Sequence, residues 1–143
     1  MPKSTVFSND LALLIFNATN IALIADNTAT TPLTNLYLSL HNANPGVASS
    51  QLTNETAYTN YVRLAVLRTS GGWTVSAGGA TNFASAAFAT CGASGDTITY
   101  VAIGTLSSGA GKILYSGALN TPLVVVSGVI PTFAAGALTA TET

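Results

Sequence analysis

Charge is what this chain has least of. Only 6 % of its 143 residues are Asp, Glu, Lys or Arg, where an ordinary soluble domain has about 25 %. The cations are Lys3, Arg63, Arg68 and Lys112, and the acids are Asp10, Asp26, Glu55, Asp96 and Glu142. Both sets are scattered, and they nearly balance. Nucleic-acid binding needs a basic patch that neutralises phosphates, so that class is excluded. Attraction to anionic lipid fails for the same reason, and no membrane partner is expected.

Cysteine is nearly absent too. Cys91 stands alone, so an intrachain disulfide is impossible and the disulfide-rich secreted class drops out. One cysteine and one histidine, His41, cannot build a zinc site, which takes three or four protein ligands. No cofactor motif is found. Ser108-Gly109-Ala110-Gly111-Lys112 imitates a phosphate loop, but Ile113 follows the lysine where Ser or Thr is required, and a strand follows where a helix is required. A serine triad would have to use His41, and no Gly-x-Ser-x-Gly elbow accompanies it. The chain is therefore not expected to be an enzyme, and His41 is placed on the polar face of a strand.

Long hydrophobic runs are also missing. The apolar stretches 11–16 and 21–25 are divided by Asn17, Thr19 and Asn20, well short of the roughly 20 residues of a membrane helix. Asp10, Asn17 and Asn20 also argue against a signal peptide. The sequon triplets at Asn17 and Asn54 are read as chance.

What remains is an alternating, turn-rich chain. Ser8, Asn9 or Asp10 can cap a helix over 9–17, with Leu11, Leu14 and Ile15 on one face. A connector follows over 26–34. Leu36, Leu38 and Leu40 then alternate with Tyr37, Ser39 and His41, a strand with one buried face. Asn44-Pro45-Gly46 is a turn signal. After a polar loop over 47–59, a strand over 60–69 points Val62, Leu64 and Val66 inward. Short strands follow around Trp73, Phe83 and Phe88. Further strands are expected over 97–105, 112–119, 123–126, 129–133 and 136–141. About eight strands at short spacing predict an all-β antiparallel sandwich with a short N-terminal helix. One domain is expected over 1–143, with the helix and connector in 1–34 and the sandwich in 35–143.

Leu123, Val124, Val125 and Val126 break the alternation, so both faces there should be covered. Either the helix lies over one side, or the run is a subunit interface. Leu11, Leu14, Ile15, Leu123, Val124, Val125 and Val126 are the candidate partner-interface residues. Solubility must rest on Ser, Thr, Asn and Gly, and such a surface is cheap to desolvate because no ions are stripped of water. That suits a protein covered by neighbours.

Four segments carry a resemblance. They are Asn35-Leu36-Tyr37-Leu38-Ser39-Leu40-His41 with Ala43-Asn44-Pro45-Gly46; Tyr61-Val62-Arg63-Leu64-Ala65-Val66; Leu114-Tyr115-Ser116-Gly117-Ala118-Leu119 with Thr121-Pro122; and Pro131 through Thr139. Over residues 8–141 they resemble small tailed-phage proteins labelled tail-fibre-like. Among these are capsid cement (decoration) proteins of jelly-roll type, such as that of a Bordetella phage. The resemblance implies a structural virion protein on the outer capsid surface. Its partners would be the major capsid protein and itself, as a homodimer first and a trimer second. It brings no catalytic residues. The alternative is a tail or fibre module that binds a host receptor or glycan, with Tyr37, Tyr58, Tyr61, Trp73 and Tyr100 as stacking platforms.

Overall fold

In the computed structural model, residues 5–20, 33–46 and 49–141 are described. The elements in chain order are α1 (Thr5–Asn17), β1 (Asn35–His41), β2 (Leu64–Leu67), β3 (Trp73–Ser76), β4 (Gly79–Asn82), β5 (Ala86–Ala87), β6 (Asp96–Gly104), β7 (Ile113–Val125), β8 (Thr132–Phe133) and β9 (Thr139–Thr141). The fold is all-β and antiparallel with one short N-terminal helix, as the alternation predicts. Most of the expected connector over 26–34 lies outside the described residues. The chain divides into two compact units. The first comprises Met1–Asn35, Leu67–Ala86 and Phe133–Thr143, and the second Leu36–Val66 and Ala87–Thr132.

In the first unit, β3, β4 and β9 form an antiparallel sheet in that order. Helix α1 packs on β3 and β4. It begins before the expected cap, so Ser8, Asn9 and Asp10 lie inside it. Its buried stripe is Ser8, Ala12 and Phe16, whereas Leu11, Leu14 and Ile15 are only half-buried. Small residues win this face because the sheet comes close. A Cβ on Gly78 would lie 2.8 Å from the Ser8 Cβ. Phe16 packs on Trp73 with ring centroids 4.8 Å apart. The helix ends under Arg68, whose Nε donates to the Ile15 carbonyl at 2.5 Å and whose Nη2 donates to the Leu14 carbonyl. A cation on these unpaired carbonyls also complements the helix dipole. Buried Asn82 stitches two turns together: its Nδ2 donates to the Ala84 and Ala134 carbonyls, and its Oδ1 accepts from Leu138 N.

The second unit is built on a four-stranded sheet in the order β2-β1-β6-β7. Register pairs Leu38 with Ile103 and Leu40 with Val101, and it pairs Ser39 with Ala102 and His41 with Tyr100. Partners across a ladder share a face. One face of β1 is thus apolar and the other carries Ser39 and His41. Both faces are buried, so the expected solvent-facing side of β1 is corrected. The loop after β1 folds back over that polar face.

β2 is shorter than the expected strand over 60–69; it keeps the expected parity, with Ala65 and Leu67 exposed, but ahead of it the parity fails. Val62 is 63 % exposed while Arg63 is buried, and Leu64 and Val66 are half-buried. The expected strands 112–119 and 123–126 form the single 13-residue β7. Its register against β6 shifts between Ile98 and Tyr100, where Leu119 to Pro122 bulge out. The turn at residues 44–46 is as expected: Gly46 has φ +82° and its N–H donates to Asn44 Oδ1 at 2.8 Å.

Gln51 closes the loop over β1. It is fully buried. Its N–H donates to the Gly111 carbonyl at 2.8 Å, and its Oε1 accepts from Leu106 N at 3.1 Å. Gly104 and Gly111 leave room for it: added Cβ atoms would lie 2.1 and 2.0 Å from its side chain. At Gly104 the three nearest atoms all belong to the Gln51 side chain, so Gly104→Ala is expected to destabilise the protein by about 1–3 kcal/mol through overpacking. In a Gln51→Ala background the added penalty should fall below about 0.5 kcal/mol. Urea denaturation of the four-variant cycle measures the coupling, and an additive result would place the strain elsewhere.

Candidate partner-binding surface

The segment after the β7 bulge is held rigidly. Leu123, Val124 and Val125 pair with Ile98, Thr97 and Asp96. Val125 is buried, and a Cβ on Gly95 would lie 2.0 Å from its carbonyl oxygen. Val129 N then closes a turn on the Val126 carbonyl at 3.0 Å, Gly128 N donates to the Cys91 carbonyl, and Cys91 N donates to the Val129 carbonyl. Gly128 takes φ +87° in this turn, a conformation that favours glycine. Pro131 is buried and its carbonyl accepts from Phe88 N.

On this pinned backbone stand three exposed apolar side chains: Val124 at 61 %, Val126 at 53 % and Ile130 at 51 % exposure. The 123–126 run therefore keeps its alternation. Val125 points in, and no described residue covers Val124 and Val126.

A second set sits on stitched loops. Glu55 and Arg63 form a buried bidentate pair, with Arg63 Nε on Oε1 at 2.6 Å and Nη2 on Oε2 at 2.7 Å. Arg63 Nη1 also donates to the Leu106 carbonyl at 3.0 Å, and Nη2 to the Gly109 carbonyl at 2.8 Å. Tyr61 Oη donates to Glu55 Oε1 at 2.8 Å and accepts from Leu40 N at 3.1 Å. Burial, followed by the nearby Glu55, pushes the Tyr61 phenol far above its ordinary range. With Gln51, these bonds fix both backbone groups of Leu106. Leu52, Val62 and Leu106 project outward beside the anchors, each exposed.

Among the described residues, Asp96, Glu55, Arg63 and Arg68 are engaged internally. Asp96 accepts from Thr56 Oγ1 at 2.7 Å and from Thr97 N at 2.8 Å. Arg63 is neutralised by Glu55, and Arg68 lies on the helix carbonyls. Among the described residues, no three His, Cys, Asp or Glu side chains gather in a metal-binding group. Ser39 Oγ and His41 Nε2 lie 2.9 Å apart, and His41 Nδ1 lies 2.9 Å from the Thr53 carbonyl. This arrangement resembles a nucleophile and its base, but both side chains are fully buried, so no substrate reaches them. Trp73 and Tyr58 are buried as well, which removes two of the five proposed stacking platforms. The Trp73 indole N–H has no hydrogen-bond partner among the described residues.

Of the interface candidates read from sequence, Leu11, Leu14 and Ile15 belong to the first unit, and Leu123, Val124, Val125 and Val126 to the second. Ile130, Leu52, Val62 and Leu106 were missed. Nothing in local periodicity marks them, because loops held by buried polar anchors expose them. The rare charges Glu55 and Arg63 were the available signal.

Residues 12–141 match the sequence profile of a family described as podophage GP4 fiber I protein gp80. The chain belongs to this family. It is a phage structural protein, and its place is on the virion. No curated protein matches it in sequence. The gp80 family match takes in both exposed apolar sets, together with Glu55, Arg63 and Gln51.

Proposed function

We propose that this gp80-family chain is a capsid cement protein. In this reading it docks on the outer surface of a tailed-phage head and ties major capsid subunits together. It self-associates there, as a homodimer first and a trimer second. The observation that carries the reading is the pinned row of Val124, Val126 and Ile130 on a nearly uncharged surface. Such a surface loses little hydration energy when covered, and each apolar side chain gains about 25 cal/mol per Å² buried. Modest contacts suffice, because two-point engagement of a lattice multiplies affinity through effective concentration. A fibre module is the second reading, favoured by the words of the family description.

Separating DNA-filled heads from tails, with quantitative mass spectrometry of each, tests the choice. Cement predicts many copies per head and none on isolated tails. Recovery with tails alone overturns cement in favour of the fibre reading.

A further inference from the structure

We infer that His41 is an acid-sensitive latch that holds the loop over residues 50–56 against β1 and releases it on protonation. The neutral ring fits its site. Its Nδ1–H donates to the Thr53 carbonyl, and its Nε2 accepts from the Ser39 hydroxyl. Next to the ring, Asn42 N donates to the Asn54 carbonyl and Thr56 N to the Leu40 carbonyl. These close the bridge between His41 and Glu55. One side chain therefore ties the loop where its backbone meets the strand.

A second proton has no good place. Nε2 would have to donate, so the Ser39 hydroxyl would have to turn its proton elsewhere in a fully buried site. The charged and titratable groups around the ring are few. Besides His41 itself, β1 contributes Tyr37, two residues before Ser39 on the same strand face. The loop contributes Glu55, the segment after it Tyr61 and Arg63, and β6 contributes Tyr100, which pairs with His41 in register, and Asp96, which accepts from Thr56 Oγ1. Both Glu55 oxygens are already taken by Arg63, and one also accepts from Tyr61. The carboxylate therefore offers little to a new cation, and Arg63 repels it. Consistently, burial lowers the His41 pKa below its ordinary 6.5, against the raising effects of the Thr53 carbonyl and Glu55.

The sign follows from linkage. The latch is at full strength above pH 6.5, where the open ring is also neutral. As pH falls below 6.5, the open form takes up the proton and the closed form does not. The opening constant then rises by up to tenfold per pH unit, until the folded pKa is reached.

His41 is the only histidine in the chain, which makes the test clean. Amide exchange, corrected for intrinsic rates, would be followed between pH 7.5 and 5 at Asn42, Gln51 and Thr56, with Cys91 as reference. The expected result is loss of protection at the first three below pH 6.5 with Cys91 unchanged. In His41→Asn, whose amide can still donate to Thr53, that slope should vanish. Glu55, Asp96 and Asp10 remain in the variant, so any slope they cause would remain too. Should the variant fail to fold, ring shifts of the wild-type histidine decide. A protonated ring inside a loop that keeps its protection overturns the latch. A slope retained in His41→Asn, or Cys91 opening in parallel, overturns it as well.

Discussion

Arg63→Ala is expected to destabilise the protein by about 3–5 kcal/mol, the range for breaking one side of a buried ion pair. The side chains of Arg63 and Glu55 are 2 % and 12 % exposed. Alanine would leave Glu55 buried without its cation, and it would remove the Arg63 donor from the Leu106 carbonyl, while the Gly109 carbonyl keeps Gly111 N. The Leu106 carbonyl, left without a donor, adds about 1–3 kcal/mol unless water reaches it. Whole domains hold only about 5–15 kcal/mol, so the change should lower the melting temperature by roughly 10–20 °C. Replacing the pair together by Met and Leu should not restore stability. The Tyr61 O–H would still lack its acceptor and the Leu106 carbonyl its donor, and a half-satisfied network is worse than an apolar one. Calorimetry of the single and double variants measures this. A loss below about 1 kcal/mol would mean that the network is solvated and holds nothing.

The same residue shows where sequence reading stopped. Around Arg63 the order Tyr61-Val62-Arg63-Leu64 reads as a strand with Val62 and Leu64 inside. Hydropathy makes that choice, because an isolated arginine is expensive to bury. At Val62 and Arg63 the choice reverses because an acid eight residues earlier folds back to meet the arginine, and no local pattern encodes that. Helix α1 failed in a similar way. Leu11, Leu14 and Ile15 form the more hydrophobic stripe, yet Ser8 and Ala12 allow closer approach to the turn at Gly78, and packing distance decided the face. By contrast, β1, β6 and the turn at Gly46 were legible. Their signals are the period-two alternation and the φ requirement of a turn, both local. The candidate surface was half legible. The 123–126 run stood out by composition, but that Val125 alone turns inward depends on its register with Asp96. The chain's near-absence of charge was the most informative feature, since it singled out Glu55, Arg63, Arg68 and Asp96, which are anchors.

The largest functional effect should come from the row on β7. The double variant Val124→Asp, Val126→Asp is expected to fold normally and to be missing from virions. Both positions are more than half exposed. Such surface changes typically move stability by less than about 0.5 kcal/mol each, with a small further loss from the poor strand propensity of Asp. Docking is a different matter. Covering a carboxylate without a partner costs several kcal/mol, and every 1.4 kcal/mol is tenfold in affinity. Two such groups should weaken attachment by more than about a thousandfold, beyond what lattice avidity recovers. Complementing a deletion phage with the variant, then counting copies per purified particle, reads the effect. Phe83→Asp is the control. It places the same charge on an exposed apolar residue of the first unit that is not part of the pinned row, and should leave the copy number unchanged. If the double variant is incorporated at wild-type level, Val124 and Val126 face solvent on the virion. Leu52, Val62 and Leu106 then become the surface to test, and Arg63, which holds Leu106 in place, would control docking as well as stability.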